Sequence, residues 1–350
     1  MQANGARVIS NPPGITLLTY AIRARDLDLS DPVARYLRDS ARMRDDDIPT
    51  GVTGLRLATI LQLAWVVSGF VAYALARVYL PAAGAVLFAI VVTFNPATAH
   101  FGPGKDPAQL LLINLMLWAW FAGWKRNSRL LSIAAGALLV TATTVTLLSI
   151  WIALAVLIAC VWHEPSISRV RRNIVPAILG AAIVVVLLYL CLGWNMIATV
   201  WALSHHFEQI QRELAFDRGL WFIIGLPIFL LFVSPAIWTF AVLRLRRWKS
   251  RPFRFGERLF LATLAIMLIT YVIGVQYELP RLWIAFWPPL VLASMLSCRQ
   301  LTRARHDGRA ARVLATIAAV HVAFTIAHWT MLDVREAEHR LEQNTIFKLS

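Results

Sequence analysis

LLSIAAGALLVTATTVTLLSIWIALAVLIACVW, residues 130 to 162, is an apolar run of 33 residues that follows Arg129 and ends at His163 and Glu164. One bilayer crossing takes roughly 20 residues, so this run is too long for a single span unless strongly tilted. Splitting it into two helices joined by a tight hairpin near Thr144 to Leu148 has a consequence for charge. With the split, the clusters Lys125/Arg126/Arg129, Arg169/Arg171/Arg172, Arg244 to Arg258 and Arg299 to Arg312 all fall on one side of the membrane. Without it, two of the four face the other way. The positive-inside rule then makes the shared side the cytoplasm.

The rest of the chain reads the same way. Of 350 residues 59% are hydrophobic and only 15% charged, a composition that excludes an ordinary soluble domain. The net charge of +15 does not argue for nucleic acid, because the arginines punctuate apolar runs instead of forming one basic stripe. Cys160, Cys191 and Cys298 lie in or at the end of apolar segments without metal-type spacing, so they read as small lipophilic side chains. Spans are expected near 55–79, 82–96, 106–124, 130–145, 146–162, 174–196, 219–243, 257–275, 282–297 and 311–330. The expected fold is an all-α polytopic bundle of about ten spans. Residues 1–54 form an outer-face interfacial segment, 55–330 the transmembrane domain, and 331–350 a tail.

The alternation places residues 1–54, 97–105, 197–218 and 276–281 on the outer face, where most of the reactive side chains gather. In ISNPPGITLLTYAIRA, Asn11 is the expected N-cap and Pro12 the first helical residue of a short interfacial helix. A second helix is expected from Asp31-Pro32, with Val33, Tyr36, Leu37 and Ala41 as its apolar face. NPATAHFGPGKDPAQLL carries His100, Lys105 and Asp106, but lacks the GxxxxGK[ST] spacing of a phosphate loop. Asp106 before Pro107 suits an N-cap. A carboxylate there also suits a general base or a metal ligand, although the helix dipole favours its charge and weakens it as a base. In SHHFEQIQRE, His205 and Glu208 share a helix face without the HExxH pattern of a zinc site. No cofactor is indicated beyond a divalent metal at such carboxylates. In QYELPRLWIAFWPP, residues 276 to 289, Glu278 lies near the positive end of a helix that starts at Pro280, and Arg281 needs an anion. Glu278 supplies one as an ion pair; a phosphate-bearing ligand supplies another through a bidentate fork.

The ordered features NPPGITLLTY, FNPATAHFGPGKDPAQLL and YELPRLWIAFWPPL resemble the GT-C superfamily of polytopic glycosyltransferases, including protein O-mannosyltransferase-like and lipid A aminoarabinose transferase-like proteins, over about residues 8 to 297. The resemblance implies transfer of a sugar from a polyprenyl-phosphate carrier at the outer face of a bacterial inner membrane. It implies Asp106 and Glu278 as catalytic acids, with Arg281, Lys105, Asn11 and His100 as substrate contacts. Asn11 stands where many relatives have His. The first transmembrane helix and acidic outer loop of that family would precede residue 1. Seven arginines between Arg7 and Arg44 also resist translocation without a leading helix, so a shortened N-terminus is expected. The competing expectation is a non-catalytic membrane protein, either a degenerate relative or a lipid-carrier binding subunit. A transporter is disfavoured because the charges gather at one face and not at mid-membrane.

The topology is tested by cysteine labelling. Single cysteines at Arg171 and Gln209 should react from opposite sides of the membrane, and same-side reaction would rule out the hairpin split.

Overall fold

The structure is a computed structural model that describes residues 14–22, 32–39, 44–101, 105–196, 198–199, 201, 218–232, 254–273, 283–297 and 308–331. Among these residues the only regular structure is helical. Two short helices, α1 (Gly14–Ala21) and α2 (Pro32–Asp39), lead through a 3₁₀ turn at Asp45–Asp47 into α3 (Ile48–Arg77). There follow α4 (Ala82–Thr93), α5 (Pro96–Phe101), α6 (Asp106–Arg126), α7 (Arg129–Thr143), α8 (Leu148–His163) and α9 (Ile167–Leu192). The last part holds α10 (Arg218–Phe232), α11 (Phe255–Ile273), a 3₁₀ segment Trp283–Phe286 continued by α12 (Trp287–Ser297), and α13 (Gly308–Met331).

A helix stands at each of the ten expected span positions, but their lengths differ. Five helical segments are long and apolar enough to cross a membrane, namely Asp45–Arg77, Asp106–Arg126, Ile167–Leu192, Phe255–Ile273 and Arg312–Thr330, a set compatible with a multi-pass membrane protein. Ala82–Thr93, Arg129–Thr143, Leu148–His163 and Trp283–Leu296 are apolar but shorter. At 1.5 Å rise per residue, the 12 residues of α4 extend about 18 Å against a hydrocarbon core of about 30 Å, so helix count and span count diverge.

The expected break in the 130–162 run is present: α7 ends at Thr143 and α8 begins at Leu148. The Ser128 hydroxyl caps the start of α7 by accepting from the Leu131 amide at 3.4 Å. Gly193, at φ 63°, closes α9 in the left-handed conformation that favours glycine.

Packing follows from residue size. α6 lies at the centre, against α3, α5, α7, α12 and the 3₁₀ segment. Residues 283–295 are buried throughout, so the segment at the expected ninth span lies inside the helix bundle. The Trp283 indole donates to Thr270 Oγ1 at 3.3 Å and meets Phe229 edge-on at 4.6 Å. α9 is the inverse case, buried only at Asn173 and Gly180 and otherwise presenting an apolar surface. It touches α7 backbone to backbone. A Cβ on Gly136 would lie 1.8 Å from the Ala177 carbonyl oxygen, and one on Gly180 would lie 2.0 Å from that of Ile133. Apolar side chains gain little by meeting in lipid, so such small-residue approaches, with the Ser132 hydroxyl 3.2 Å from Asn173 Oδ1, hold the pair together.

The N-terminal helices correct one expectation. α2 buries Ala34 and Leu37 against Ile48 and Val52 of α3, while Val33 and Tyr36 are exposed. An ion pair between Arg38 and Asp45 at 2.8 Å accompanies this docking, so the buried face is turned by one residue from the expected one.

Gly136→Ala and Gly180→Ala should each destabilise the protein by about 1–3 kcal/mol or more, because the methyl group has nowhere to go. Gly54→Ala, whose Cβ meets nothing within 4 Å, should instead stabilise α3 by about 0.5–1 kcal/mol. Chemical unfolding in mild detergent measures both; equal stability of the Gly136→Ala and Gly54→Ala proteins would refute the backbone contact.

Candidate functional site

The two ends of the bundle differ in chemistry. At one end, three helix C-termini receive cations from neighbouring elements. Lys125 at the end of α6 donates to the Val78 carbonyl beyond α3 and lies over the Tyr79 ring at 5.7 Å. Arg169 of α9 donates to the Trp124 carbonyl at 3.4 Å and to Glu164 at 2.7 Å. Arg258 of α11 donates to the Trp162 carbonyl of α8. Three of the arginine and lysine clusters are thereby joined at one end, where cations favour the negative ends of the helix dipoles. Desolvation, then the charge of Arg258, holds His163 below its ordinary value of 6.5, against the opposing pull of Glu164. Trp162 is half exposed at this end, as a membrane-interface ring would be, whereas Trp124 is buried.

The opposite end holds the start of α6. The Gln109 backbone N–H donates to the Lys105 carbonyl at 3.0 Å, which brings Asp106 into the first helical turn. Lys105, not Asp106, is therefore the N-cap residue, and its side chain makes no capping bond. Asp106 is 1% exposed and Gln109 2%, at i and i+3 on α6, so their polar side chains are enclosed where the sequence led us to expect a loop surface. Further along α6, Asn114 donates to Ser68 of α3 at 3.0 Å, with both residues fully buried.

Beside this end α4 stops and α5 begins. Asn95 spans the break: its amide donates to the Val92 carbonyl at 2.8 Å and the Thr98 hydroxyl at 2.7 Å, and its Oδ1 accepts from the Thr98 amide at 2.8 Å. α13 completes the cover. Thr325 donates to the Phe94 carbonyl at 2.7 Å, and buried His321 is hydrogen-bonded to the backbone of Phe94 and Val91. His321, Thr325 and His328 are spaced i, i+4, i+7 on one face, a signal readable in the sequence, as is the Asn-Pro start of α5.

Gly14, the last residue of the NPPG element, also reaches this end. The Gly14 amide donates to the Thr144 carbonyl at 2.7 Å, and a Cβ on Gly14 would lie 2.6 Å from Thr144 Oγ1. Only glycine lets α1 rest on the α7–α8 turn so closely.

Of the expected site residues, Lys105 and Asp106 are placed together. His100 lies in α5, with its side chain outside the described residues, and Asn11, Glu278 and Arg281 lie outside them altogether, as do His205, His206 and Glu208. Among the described residues no group of three or more His, Cys, Asp or Glu is placed to hold a metal ion. No family model matches the chain, and no curated protein does either.

Asn95 is a buried cap and Asn195 an exposed one, whose Oδ1 accepts from the Ala198 amide at 3.0 Å. Asn95→Ala strands buried backbone groups and should cost about 1–3 kcal/mol; Asn195→Ala should cost about 1 kcal/mol or less. Unfolding midpoints of the two variants check the difference, and equal losses would count against the buried cap.

Proposed function

We propose that the protein is an integral membrane glycosyltransferase that moves a sugar from a polyprenyl-phosphate carrier to an acceptor hydroxyl at the membrane face where α6 begins. The observation that carries this reading is the burial of Asp106 beside Lys105 at the start of an apolar helix. An ionisable group enclosed in a membrane protein is costly to keep and is a functional candidate for that reason. In this reading Asp106 takes the proton of the acceptor hydroxyl. The freed oxygen attacks the anomeric carbon, and the bond from that carbon to the phosphate oxygen breaks. The electron pair leaves on the polyprenyl phosphate, where Lys105 and Arg281 offset its charge. The roles of Glu278, Arg281, Asn11 and His100, and the bacterial inner membrane as the location, rest on the family resemblance alone.

Cell-free transfer of radiolabelled sugar from a polyprenyl-phosphate donor tests the proposal. The native chain in proteoliposomes should label an acceptor fraction, and Asp106→Asn should slow transfer about 100-fold or more while carrier binding persists. Carrier binding without any transfer by the native chain would instead identify a binding subunit, and absence of both would end the proposal.

A further inference from the structure

Between α6, α7, α8 and α9 lies a cavity of about 270 Å³, near the lower end of ligand-sized pockets at about 300 Å³. Trp120, Gly136, Leu139, Ala153, Ile174 and Ile178 are among its lining residues, and its walls are almost wholly apolar. It opens sideways, since Leu154 and Ile178 line it and are themselves exposed. Its neighbourhood along the helices is basic. Ile174 and Ile178 lie at i+3 and i+7 from Arg171, so Arg171 stands on the lining face of α9, about 4.5 Å along the axis from Ile174. Gly136 lies at i+7 from Arg129, so Arg129 stands about 10 Å before it on the corresponding face of α7. Both arginines are exposed, and among the described residues neither makes a hydrogen bond or ion pair. The Arg169 bond to the Trp124 carbonyl holds the start of α9 to the end of α6, and the Ser132–Asn173 contact holds it to the start of α7.

We infer that this is a binding site for an anionic bilayer phospholipid, with one acyl chain in the cavity and the phosphate between Arg129 and Arg171. An apolar slot with a lateral opening admits a chain from the membrane, and the two cations in register above it select a negative headgroup over a zwitterionic one. Guanidinium groups match phosphate oxygens in a bidentate fork. The two arginines lie toward the end of α6 opposite Asp106, and the cavity adjoins α6 at Met116, Leu117 and Trp120, so the site stands independently of the transferase proposal.

The native chain is reconstituted in vesicles of phosphatidylcholine containing brominated-acyl phosphatidylglycerol or brominated-acyl phosphatidylcholine. Quenching at Trp120 is read as the difference from a Trp120→Phe protein. Phosphatidylglycerol should quench Trp120 preferentially, and Arg129→Gln or Arg171→Gln should each reduce that preference about fivefold, the scale of one surface cation acting on an anionic lipid. Ala153→Phe, which fills the cavity, should abolish quenching by both lipids at Trp120. Arg172→Gln, on a different face, should leave the preference within about twofold. Equal quenching by the two lipids, or an unchanged preference in the Arg129→Gln and Arg171→Gln proteins, overturns the inference.

Discussion

Every helix that ends inside an apolar bundle leaves carbonyl groups that neither water nor lipid can satisfy, and each unsatisfied group costs several kcal/mol. Much of this structure follows from how those ends are met. At the α4–α5 break the work is done by neutral groups, with Asn95 bonding its own turn and Thr325 and His321 reaching across from α13. At the other end it is done by cations, with Lys125, Arg169 and Arg258 each crossing to the terminus of a different helix. The basic clusters thus have two physical uses. They bias orientation across a membrane, and they join α3, α6, α8, α9 and α11 at one end.

The interior is arranged by the same shortage of driving force. Because lipid is as apolar as a leucine side chain, helices associate where shape or polar contact gives a reason to. Gly136 and Gly180 supply shape at the α7–α9 crossing, and Ser68 with Asn114 supplies a hydrogen bond between α3 and α6. The aromatic plug of Trp283, Phe286 and Trp287 fills what remains, wholly buried next to α6. A segment enclosed by protein need not match the thickness of a bilayer.

Local signals in the sequence were enough to find the helices and the hairpin near Thr144, because apolar length and interrupting charge act within 20 or 30 residues. They also put three of the four basic clusters together, since alternation across a membrane is a counting rule. Which helices are plugs and which face outward was not legible. The run that holds α12 and the run that holds α9 are both apolar, and only packing separates a segment buried over 283–295 from one buried at Asn173 and Gly180 alone. The partnership of Thr325 with Phe94 joins residues 231 apart, beyond the reach of any periodicity. Within the candidate site, the position of Lys105 and Asp106 at the start of a helix was legible. The enclosure of Asp106 was not, because a Gly-Pro turn before a helix reads as exposed loop, whereas Asp106 is buried.

Asp106 and Lys125 stand at the two ends of one 21-residue helix, and the contrast between them shows how the chain divides its charges. Lys125 is exposed and already used, its ammonium group bonded to the Val78 carbonyl at the end of α3. Asp106 is an acid in the first turn, where the dipole favours it, yet it is buried. A carboxylate needed only for helix stability gains as much on the surface, where water solvates it without cost. Enclosure adds a desolvation penalty that the helix dipole alone does not require, and that penalty is the physical ground on which the proposed role of Asp106 rests.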